Sequence, residues 1–497
     1  MGNRVKEAMW EQLFERSGTE GGSLQGRIRA TLAAAILERQ LPPGQPLLSS
    51  RALATKLGVA RNTVVLAYQQ LVDEGYLLSA ERRGFFVNPA MLSGHAPAPQ
   101  SAEPRQGGEL DWGERFRVRA SNQRKIEKPR DWQDYAYPFV YGQFDPQLFP
   151  VAEWRECSRM ALSVLEIRGW ASDLIDRDDP MLIEQLQLRV LSPRGVWARP
   201  EEIMVTIGAQ QALYLLAELL VRADTVVGIE DPGYSDARNI FAAKNARLLA
   251  LPLDANGMIL GPRLARCDYL YVTPSHQCPS TVTMPIERRV ALLEQAVRDD
   301  LVLIEDDYEP EASFGAGHTP ALKSLDAAGR VLYVGSLSKT LAPGLRLGFL
   351  VGPAELVREA RALRRLMLRH PPANNQRAAA LFLSLGHHNA LLRRLHHAMR
   401  QRAEVLAAAL AADLPECRAM RAQGGSSIWL QGPSWLDARV LAAGARKRGV
   451  LIEPGHAFFL AERPPLNFFR LGFSSIAVDK IEAGVRELAA ALRELAP

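Results

Sequence analysis

Residues 331–348 read VLYVGSLSKTLAPGLRLG, and this stretch decides the fold of the larger part of the chain. It begins with four apolar residues, which predict a short strand, and continues into a loop of small residues. The loop carries two hydroxyls, a lysine and an arginine, at Ser336, Ser338, Lys339 and Arg346. A lysine at the end of a strand can form a Schiff base with an aldehyde, and the hydroxyl and guanidinium donors beside it suit a phosphate. The stretch therefore predicts a site for an aldehyde cofactor that carries a phosphate. The alternative is a solvated loop with ordinary cations.

The composition is that of a globular protein with more than one domain. The chain has 497 residues, of which 47% are hydrophobic and 23% are charged. The net charge of +5 permits nucleic-acid binding without requiring it. The four cysteines are scattered without metal-ligand spacing, so we expect free thiols, a reducing compartment and no metal site. Because we find no signal-peptide core and no apolar run of membrane-spanning length, we expect a cytoplasmic protein with no membrane association.

The first part of the chain shows the pattern of a helix-turn-helix. Apolar residues recur every fourth position from Leu24 to Ile36, which predicts a helix. Ser49 can cap a second, short helix that Gly58 ends, and a third helix begins near Ala60. The third helix is polar at its leading end, as a helix that enters the major groove must be. Residues 77–87, with Arg82 and Arg83 at the predicted tip, indicate a small hairpin, or wing. The alternative is a small helical domain with ordinary surface arginines.

The order of these pieces resembles the winged helix-turn-helix of GntR-type regulators. The resemblance rests on LPPG at 41–44, SSRALA at 49–54, GVARNTV at 58–64 and LVDEGYL at 71–77. It implies binding to double-stranded DNA through Arg51, Arg61, Asn62, Thr63 and Gly84. Ala60 departs from the family pattern, in which a hydroxyl residue is usual, so the recognition helix is expected to lack a side-chain cap.

A long linker is predicted between the DNA-binding domain and the rest of the chain. Pro, Ala, Gly, Ser and Gln dominate first, and basic residues follow, namely Arg115, Arg117, Arg119, Arg124, Lys125, Lys128 and Arg130. The basic half is interpreted as solvated chain that could add nonspecific affinity for DNA. We therefore divide the chain into a DNA-binding domain at 20–88, a linker at 89–130 and a large domain at 131–497.

Apolar runs alternate with helical stretches in the large domain. The predicted strands are 203–207, 226–229, 248–251, 270–272, 301–304 and 331–334. Nearly continuous apolar strands separated by helices are typical of an α/β fold with a mostly parallel sheet that is covered on both faces. In such sheets, ligands bind beyond the carboxyl ends of the strands.

Polar residues that could hold a phosphate-bearing ring follow five of these strands. They are Gly208-Ala209-Gln210 at the start of a helix, Tyr234, His276 or Gln277, one acid of 305–307 together with Tyr308, and Lys339. The helix start could bind the phosphate, the tyrosine could stack on the ring, and a carboxylate could keep a pyridine nitrogen protonated. Taken singly, each has an ordinary structural alternative, such as a turn, a core residue or a solvated acidic loop.

The set closely resembles the fold-type-I aminotransferases, which use pyridoxal 5'-phosphate. The resemblance implies that Lys339 bears the cofactor, Asp306 pairs with the pyridine nitrogen and Tyr234 stacks on the ring. Tyr308 and His276 would contact the ring hydroxyl, and Ala209, Gln210, Ser336, Ser338 and Arg346 would hold the phosphate. Arg470, in FFRLGF at 468–473, matches the arginine that binds the substrate carboxylate; its alternative is a structural ion pair. Cys278 departs from the Asn-Pro motif of these enzymes and leaves the His276 contact open.

A winged helix-turn-helix ahead of an aminotransferase-like domain resembles the MocR subgroup of GntR-type regulators. This resemblance implies a homodimeric, pyridoxal-phosphate-dependent transcription regulator rather than a turnover enzyme. It would bind a DNA operator and sense an amino acid or related amine as an external aldimine, with Arg470 on the carboxylate of the effector. Two alternatives are an active aminotransferase with an accessory DNA-binding domain, and a sensor of pyridoxal phosphate itself.

Overall fold

The computed structural model of the protein describes residues 23–44, 46–80, 83–91, 110–116, 118–310, 319–420 and 424–497. The chain divides into two compact units, residues 1–115 and residues 116–497. Arg82 at the predicted wing tip and Arg117 in the predicted linker lie outside the described residues, as do residues 20–22 and 92–109. None of the described helices is both long enough and apolar enough to cross a membrane.

The first unit contains the three helices and the hairpin that the sequence predicts. They are α1 Leu24–Leu37, α2 Ser50–Leu57, α3 Arg61–Asp73, β1 Leu77–Ala80 and β2 Gly84–Val87, and a short helix, α4, spans Trp112–Arg115. Ser23 caps α1 and Ser49 caps α2, each by accepting a hydrogen bond from a backbone N–H three residues on. The α2 helix ends at Gly58, which adopts the left-handed conformation (φ 64°). As predicted, the residue before α3, Ala60, provides no side-chain cap.

The helices of the first unit are held together by one apolar core. Ile28 and Leu32 of α1 pack with Leu53 of α2 and with Val64 and Tyr68 of α3, and all five side chains are buried. The hairpin joins this core through Leu77 and Val87, which pair directly across its two strands. This shared core fixes α2 and α3 relative to each other. The first turn of α3 lies outside the core and remains on the surface.

The second unit alternates strands and helices. Its helices are α5 Val151–Ala161, α6 Val164–Trp170, α7 Pro180–Gln185, α8 Gly208–Leu220, α9 Ser235–Ala243, α10 Ile286–Arg298, α11 Ala354–Leu368, α12 Ala373–Ser384, α13 His387–Asp413, α14 Ala438–Lys447 and α15 Val478–Arg493. Its strands are β3 Tyr137–Pro138, β4 Ile203–Thr206, β5 Val226–Asp231, β6 Arg247–Asp254, β7 Gly257–Met258, β8 Tyr269–Val272, β9 Val302–Asp307, β10 Val331–Ser336, β11 Gly348–Val351, β12 Arg418–Ala419, β13 Ser427–Gln431, β14 Val450–Leu451, β15 Glu453–Pro454 and β16 Phe468–Gly472.

Within the described residues, the main sheet has eight strands in the order β4-β11-β10-β9-β8-β5-β6-β7. The strands β10, β9, β8, β5 and β6 run parallel, which confirms the predicted, mostly parallel sheet. All six predicted strands are present, with ends that differ by a few residues. The strands β7 and β11 are additional. Both run antiparallel to the strand that precedes them in the chain, β6 and β10, and no crossover α-helix intervenes in the described residues between them.

A second sheet, in the order β12-β13-β16-β15, lies in the C-terminal part of this unit. Its core contains Leu430 of β13 and Leu471 of β16 together with Leu406 of α13 and Leu488 of α15. Arg470 lies on β16, opposite Glu453 on β15 and Trp429 on β13. The register of this small sheet therefore determines which residues neighbour Arg470.

Residues 118–130 belong to the second unit, so the division of the chain falls earlier than the predicted linker end at residue 130. Gln123 Nε2 donates to the Asn239 carbonyl at 3.2 Å, and Arg124 Nη2 donates to the Ala461 carbonyl at 3.0 Å. The backbone carbonyl of Arg124 accepts from Arg238 Nη2 at 2.7 Å. The interpretation of this basic stretch as solvated chain is wrong for these residues, because their polar groups are paired with the large unit.

Candidate functional site

The carboxyl ends of the parallel strands border a cavity of about 150 Å³. The cavity is lined by Tyr141, Ala209, Gln210, Tyr234, Cys278, Asp306, Tyr308, Ser336, Ser338, Lys339, Pro343 and Arg346. All of the predicted cofactor-binding residues except His276 lie in this lining. The parallel strands bring these residues together because each predicted residue follows the same end of its strand.

Lys339 lies beyond the end of β10 and extends into the cavity. Its Nζ is 4.4 Å from the centroid of the Tyr141 ring. Burial lowers the pKa of the Lys339 amine below its usual range; Glu309 opposes this shift and Arg470 adds to it. Lowering the pKa of an amine increases the fraction that is unprotonated near neutral pH, and only the unprotonated amine is a nucleophile.

Asp306 presents an unsatisfied carboxylate oxygen in the same cavity. Its Oδ2 accepts a hydrogen bond from the Tyr271 hydroxyl at 2.8 Å, whereas the buried Oδ1 has no hydrogen-bond partner among the described residues. Burial raises the pKa of Asp306 to about 7, against the hydrogen bond from Tyr271 and the nearby Lys339 amine. A buried acceptor without a donor is costly, so this oxygen fits a ligand that brings an N–H group, such as a protonated pyridine ring.

The adjacent acids have partners outside the cavity, although the buried Oδ1 of Asp307 also has no hydrogen-bond partner among the described residues. Asp307 Oδ2 accepts from Arg194 Nε at 3.0 Å and from the Tyr333 hydroxyl at 2.7 Å. Both oxygens of Glu305 accept backbone N–H groups, from Leu322 and Lys323, each at 2.8 Å. Successive side chains of a strand point to opposite faces, so Asp306 is separated from both of its neighbours and is the one acid of the three that lines the cavity.

The other end of the cavity, near Gly208 and Arg346, is suited to an anion, and we call it the anion cradle. Gly208 begins α8 with a positive φ of 73°, and a Cβ at this position would lie 2.9 Å from Arg346 Nη2. Arg346 Nη2 donates to the Ile207 carbonyl at 3.1 Å, which aims the guanidinium at the start of the helix. Because free N–H groups at a helix start bind anions, this end of the cavity fits a phosphate.

Three further residues around the cavity differ from the predicted arrangement. His276 is buried outside the cavity, where its backbone carbonyl accepts from the Tyr308 hydroxyl at 2.7 Å. We therefore correct the predicted contact of the His276 side chain with the cofactor. Cys278, two residues further along the loop, lines the cavity instead. Gln277 Nε2 donates to the Pro232 carbonyl at 2.9 Å, and Gln277 is not part of the cavity lining. The sequence does not reveal this turn, because three consecutive polar residues could each face the ring.

Comparisons with known proteins match both parts of the chain. Residues 24–87 match the family of bacterial regulatory proteins of the gntR type, and residues 174–488 match aminotransferase class I and II. The chain is 44% identical to the HTH-type transcriptional regulator TauR of Rhodobacter capsulatus, over 97% of this chain and 99% of TauR. It is 30% identical to a protein of Rhizobium meliloti named "Probable rhizopine catabolism regulatory protein MocR", over 98% and 94% of the two chains.

The chain belongs to the MocR subgroup of GntR-type transcriptional regulators. Its large unit is similar to the crystal structure of LysN, an α-aminoadipate aminotransferase of Thermus thermophilus complexed with N-(5'-phosphopyridoxyl)-L-leucine. The TM-score is 0.70 at 30% identity, over 78% of this chain and 99% of LysN. The fold of this MocR-type regulator is thus one that holds a pyridoxyl ligand in a solved relative.

The DNA-binding unit of this MocR-type regulator presents the predicted contact residues on its surface. Arg61 and Asn62 are exposed in the first turn of α3, beside the half-buried Thr63. Arg51 is exposed in the first turn of α2, and Gly84 begins the second strand of the wing with a φ of 96°. Because these turns lie at one end of the two helices, the arrangement suits a recognition helix in a major groove.

Arg470, the predicted effector-binding residue, already has an acidic partner inside the MocR-type regulator. Its Nη2 lies 2.7 Å from Glu453 Oε2, and both side chains are almost fully buried. The guanidinium also stacks at 4.0 Å from the centroid of the Tyr141 ring. Its Nη1 faces the Cys278 thiol at 3.9 Å rather than a carboxylate. Arg470 therefore forms the structural ion pair named as its alternative, and its Nη1 lies near Cys278, which lines the cavity.

Several residues of this site are absent from the predicted set. Tyr141 lies within 4.4 Å of both Lys339 and Arg470, Glu309 accepts from the Tyr141 hydroxyl at 2.9 Å, and Glu453 pairs with Arg470. Lys128 reaches the same place from the stretch interpreted as a linker. The apolar run FVYG at 139–142 is a signal that could have identified Tyr141 as a buried residue. Glu309 follows Tyr308 directly, but no local pattern marks Lys128 or Glu453.

Proposed function

We propose that this MocR-type regulator binds pyridoxal 5'-phosphate at Lys339 and responds to an amino acid or related amine by changing how it binds a double-stranded DNA operator. The observation that carries the proposal is the presence of three features in one cavity. An amine with a lowered pKa, Lys339, shares the cavity with Asp306 Oδ1, which has no partner in the described part of the chain, and an anion cradle lies at the other end. These three features correspond to the aldehyde, the ring nitrogen and the phosphate of this one cofactor.

Different residues of the chain would bind different parts of the cofactor. Arg346, Ser336, Ser338 and the start of α8, with Ala209 and Gln210, would hold the phosphate, and Asp306 would accept a hydrogen bond from the protonated ring nitrogen. Tyr234 would stack on the ring, and Tyr308 would border the ring hydroxyl. Bound there, pyridoxal phosphate would supply an aldehyde carbon that exchanges reversibly between primary amines. Lys339 is the resident amine, and its lowered pKa makes it available in unprotonated form.

The response to an effector would follow from differential binding. A ligand shifts an equilibrium between two arrangements of a protein only by the difference between its affinities for them. An amine that takes the place of Lys339, with its anionic group near Arg470, changes the charge and the contacts around Tyr141. We further propose a homodimer, because two recognition helices could then bind two half-sites of an operator.

The visible absorption of the protein incubated with pyridoxal phosphate tests the lysine assignment. The variant Lys339→Ala is expected to lose the band of the lysine adduct while remaining folded. Lys447→Ala, which removes an exposed lysine at the end of α14, is the matched control and should keep the band. If Lys339→Ala keeps the band, the cofactor is attached elsewhere and the proposal fails.

A catalytically active aminotransferase with an accessory DNA-binding domain is the second candidate. The specific observation in its favour is that the Lys339 amine and the free Asp306 oxygen, the groups that an aminotransferase needs, are both present. Multiple-turnover assays with amino donors and keto acids separate the two functions. Sustained product formation without sequence-specific DNA binding supports the enzyme, whereas specific DNA binding that responds to an amine, without turnover, supports the regulator.

A further inference from the structure

The stretch that leads from the DNA-binding unit into the large unit is anchored close to the cofactor cavity. Gln123 and Arg124 are tied to the large unit by side-chain hydrogen bonds, and Asn239 Nδ2 donates to the Arg124 carbonyl at 2.9 Å. Four residues later, Lys128 leaves this surface and extends inward. Its Nζ donates a close hydrogen bond to the Tyr141 carbonyl, and its side chain is 28% exposed.

Three basic groups surround the ring of Tyr141. The Arg470 guanidinium carbon lies 4.0 Å from the ring centroid, Lys339 Nζ lies at 4.4 Å and Lys128 Nζ lies at 5.6 Å. Gly142, which follows Tyr141, leaves room for this arrangement. A Cβ there would collide with Lys339 Nζ and would lie 3.6 Å from Lys128 Nζ. The two lysines therefore approach the same space from positions that are far apart in the sequence.

One carboxylate serves two of these cations. Glu453 Oε2 contacts Arg470 at 2.7 Å, and Glu453 Oε1 lies 3.7 Å from Lys128 Nζ. The other buried acid nearby, Glu309, accepts hydrogen bonds at one oxygen from the Tyr141 and Ser426 hydroxyls, at 2.9 and 2.8 Å. Burial lowers the pKa of Lys128 to about 8, and Lys339 and Arg470 add to this shift while Glu453 opposes it. A cluster of this kind gains from a further anion, because desolvated cations need anionic partners.

We propose that Lys128 is a second binding residue for the anionic group of the effector and acts together with Arg470. The ligand class is an amine whose anionic group carries at least two acceptor oxygens, one for each cation. This inference rests on the proposed function of the same cavity and adds a consequence for regulation. Because Lys128 lies on the chain that leads to the DNA-binding unit, ligand binding would stabilise the position of that chain.

Spectral titration of the pyridoxal-phosphate-loaded, full-length protein with matched pairs of amines tests the proposal. The pairs are glycine with methylamine and β-alanine with ethylamine, and each pair differs by one carboxylate. Lys128→Met is expected to weaken binding of the amino acid by about tenfold or more, as loss of a charge-assisted hydrogen bond does, and to change binding of the plain amine by less than about twofold. Lys128→Arg keeps the charge and should retain the preference for the amino acid.

Lys125→Met is the matched control, because Lys125 lies on the same stretch but is exposed. It should leave both members of each pair unaffected. The proposal is overturned if Lys128→Met weakens acid and amine equally or weakens neither, or if the unmodified protein binds the acid and the amine of every pair with equal affinity. Those outcomes leave the Lys339 assignment intact, whereas an absorption band that survives Lys339→Ala refutes the proposed function itself.

Discussion

Glu453 and Arg470 form a buried ion pair in which two nitrogens of the guanidinium, Nε and Nη2, contact the same carboxylate oxygen, at 2.8 and 2.7 Å. An effector carboxylate that binds Arg470 through these nitrogens has to compete with Glu453. The internal pair therefore limits the affinity of the site for anions. It also neutralises the charge of Arg470 when no ligand is bound. This one contact therefore affects both the stability of the unit and its selectivity for ligands.

Replacing Glu453 by glutamine should separate these two roles. Glu453→Gln leaves the charges of Arg470 and Lys128 uncompensated, which should lower the stability by roughly 3 kcal/mol, as for other broken buried pairs. An amino acid should restore more of the lost thermal stability than the matching amine, because it brings a replacement carboxylate. Melting curves with and without each ligand measure this. Glu487→Gln, which breaks the part-exposed pair with Arg448, should cost less than about 1 kcal/mol. Equal melting temperatures for Glu453→Gln and the unmodified protein would contradict the prediction.

Removing the guanidinium from the anion cradle should affect the phosphate of the cofactor specifically. Arg346→Met is expected to weaken binding of pyridoxal phosphate by about tenfold to a hundredfold, because a charge-assisted hydrogen bond is worth roughly 1.5–3 kcal/mol. Binding of pyridoxal, which lacks the phosphate, should change little. Absorption titrations with both compounds give the two affinities, and Arg358→Met on the exposed face of α11 is the control. A parallel loss of both affinities would show that Arg346 does not bind the phosphate.

His388 should make the large unit sensitive to mild acid. It is 1% exposed in the first turn of α13, and neither ring nitrogen has a hydrogen-bond partner among the described residues. Burial lowers its pKa from 6.5 to about 4. Between these values the unfolded chain binds a proton that the folded chain rejects, so the contribution to stability is complete above pH 6.5 and declines as the pH falls toward 4.

The variant His388→Leu tests this assignment by removing the proton-binding group. From about pH 7.5 to pH 5, the free energy of unfolding of the unmodified protein should fall by roughly 2 kcal/mol more than that of the variant, at about 1.4 kcal/mol per pH unit. Urea unfolding of both proteins at the two pH values measures the difference. An identical pH dependence would mean that His388 is protonated equally easily in the folded and unfolded chain.

Adding a cap to the recognition helix should stabilise the DNA-binding unit. The helices α1 and α2 have serine caps whose hydroxyls accept backbone N–H groups at 3.2 Å, whereas α3 begins at Ala60 without one. Ala60→Ser is expected to add about 1 kcal/mol, which corresponds to roughly fivefold slower hydrogen exchange of the α3 amides. Ala60→Val lacks the acceptor and should give no gain. Unchanged exchange in Ala60→Ser would indicate that the hydroxyl does not cap the helix.

Local patterns in the sequence predicted the helix-turn-helix, the wing and the parallel strands of the main sheet. Apolar periodicity and the serine and glycine signals at helix ends predicted α1, α2, α3 and the wing, and apolar runs predicted six strands of the main sheet. The lining of the cavity could also be predicted in outline, because parallel strands bring their carboxyl ends to one edge. The limits of this reasoning appear at His276 and Cys278. Both lie in a single irregular loop, where no periodicity indicates which side chain faces the ring.

The sequence alone determined the two-part architecture, the lysine at the end of β10 and the order of polar residues around it, because these depend on local periodicity and on residues next to strand ends. The tertiary structure decided that Asp306 rather than Glu305 or Asp307 faces the cavity, that Arg470 is paired with Glu453, and that Lys128 lies beside Lys339. The last two contacts join residues on different strands or far apart in the sequence of the unit. Their partners are selected by burial and by charge compensation in three dimensions, which no local pattern in the chain records.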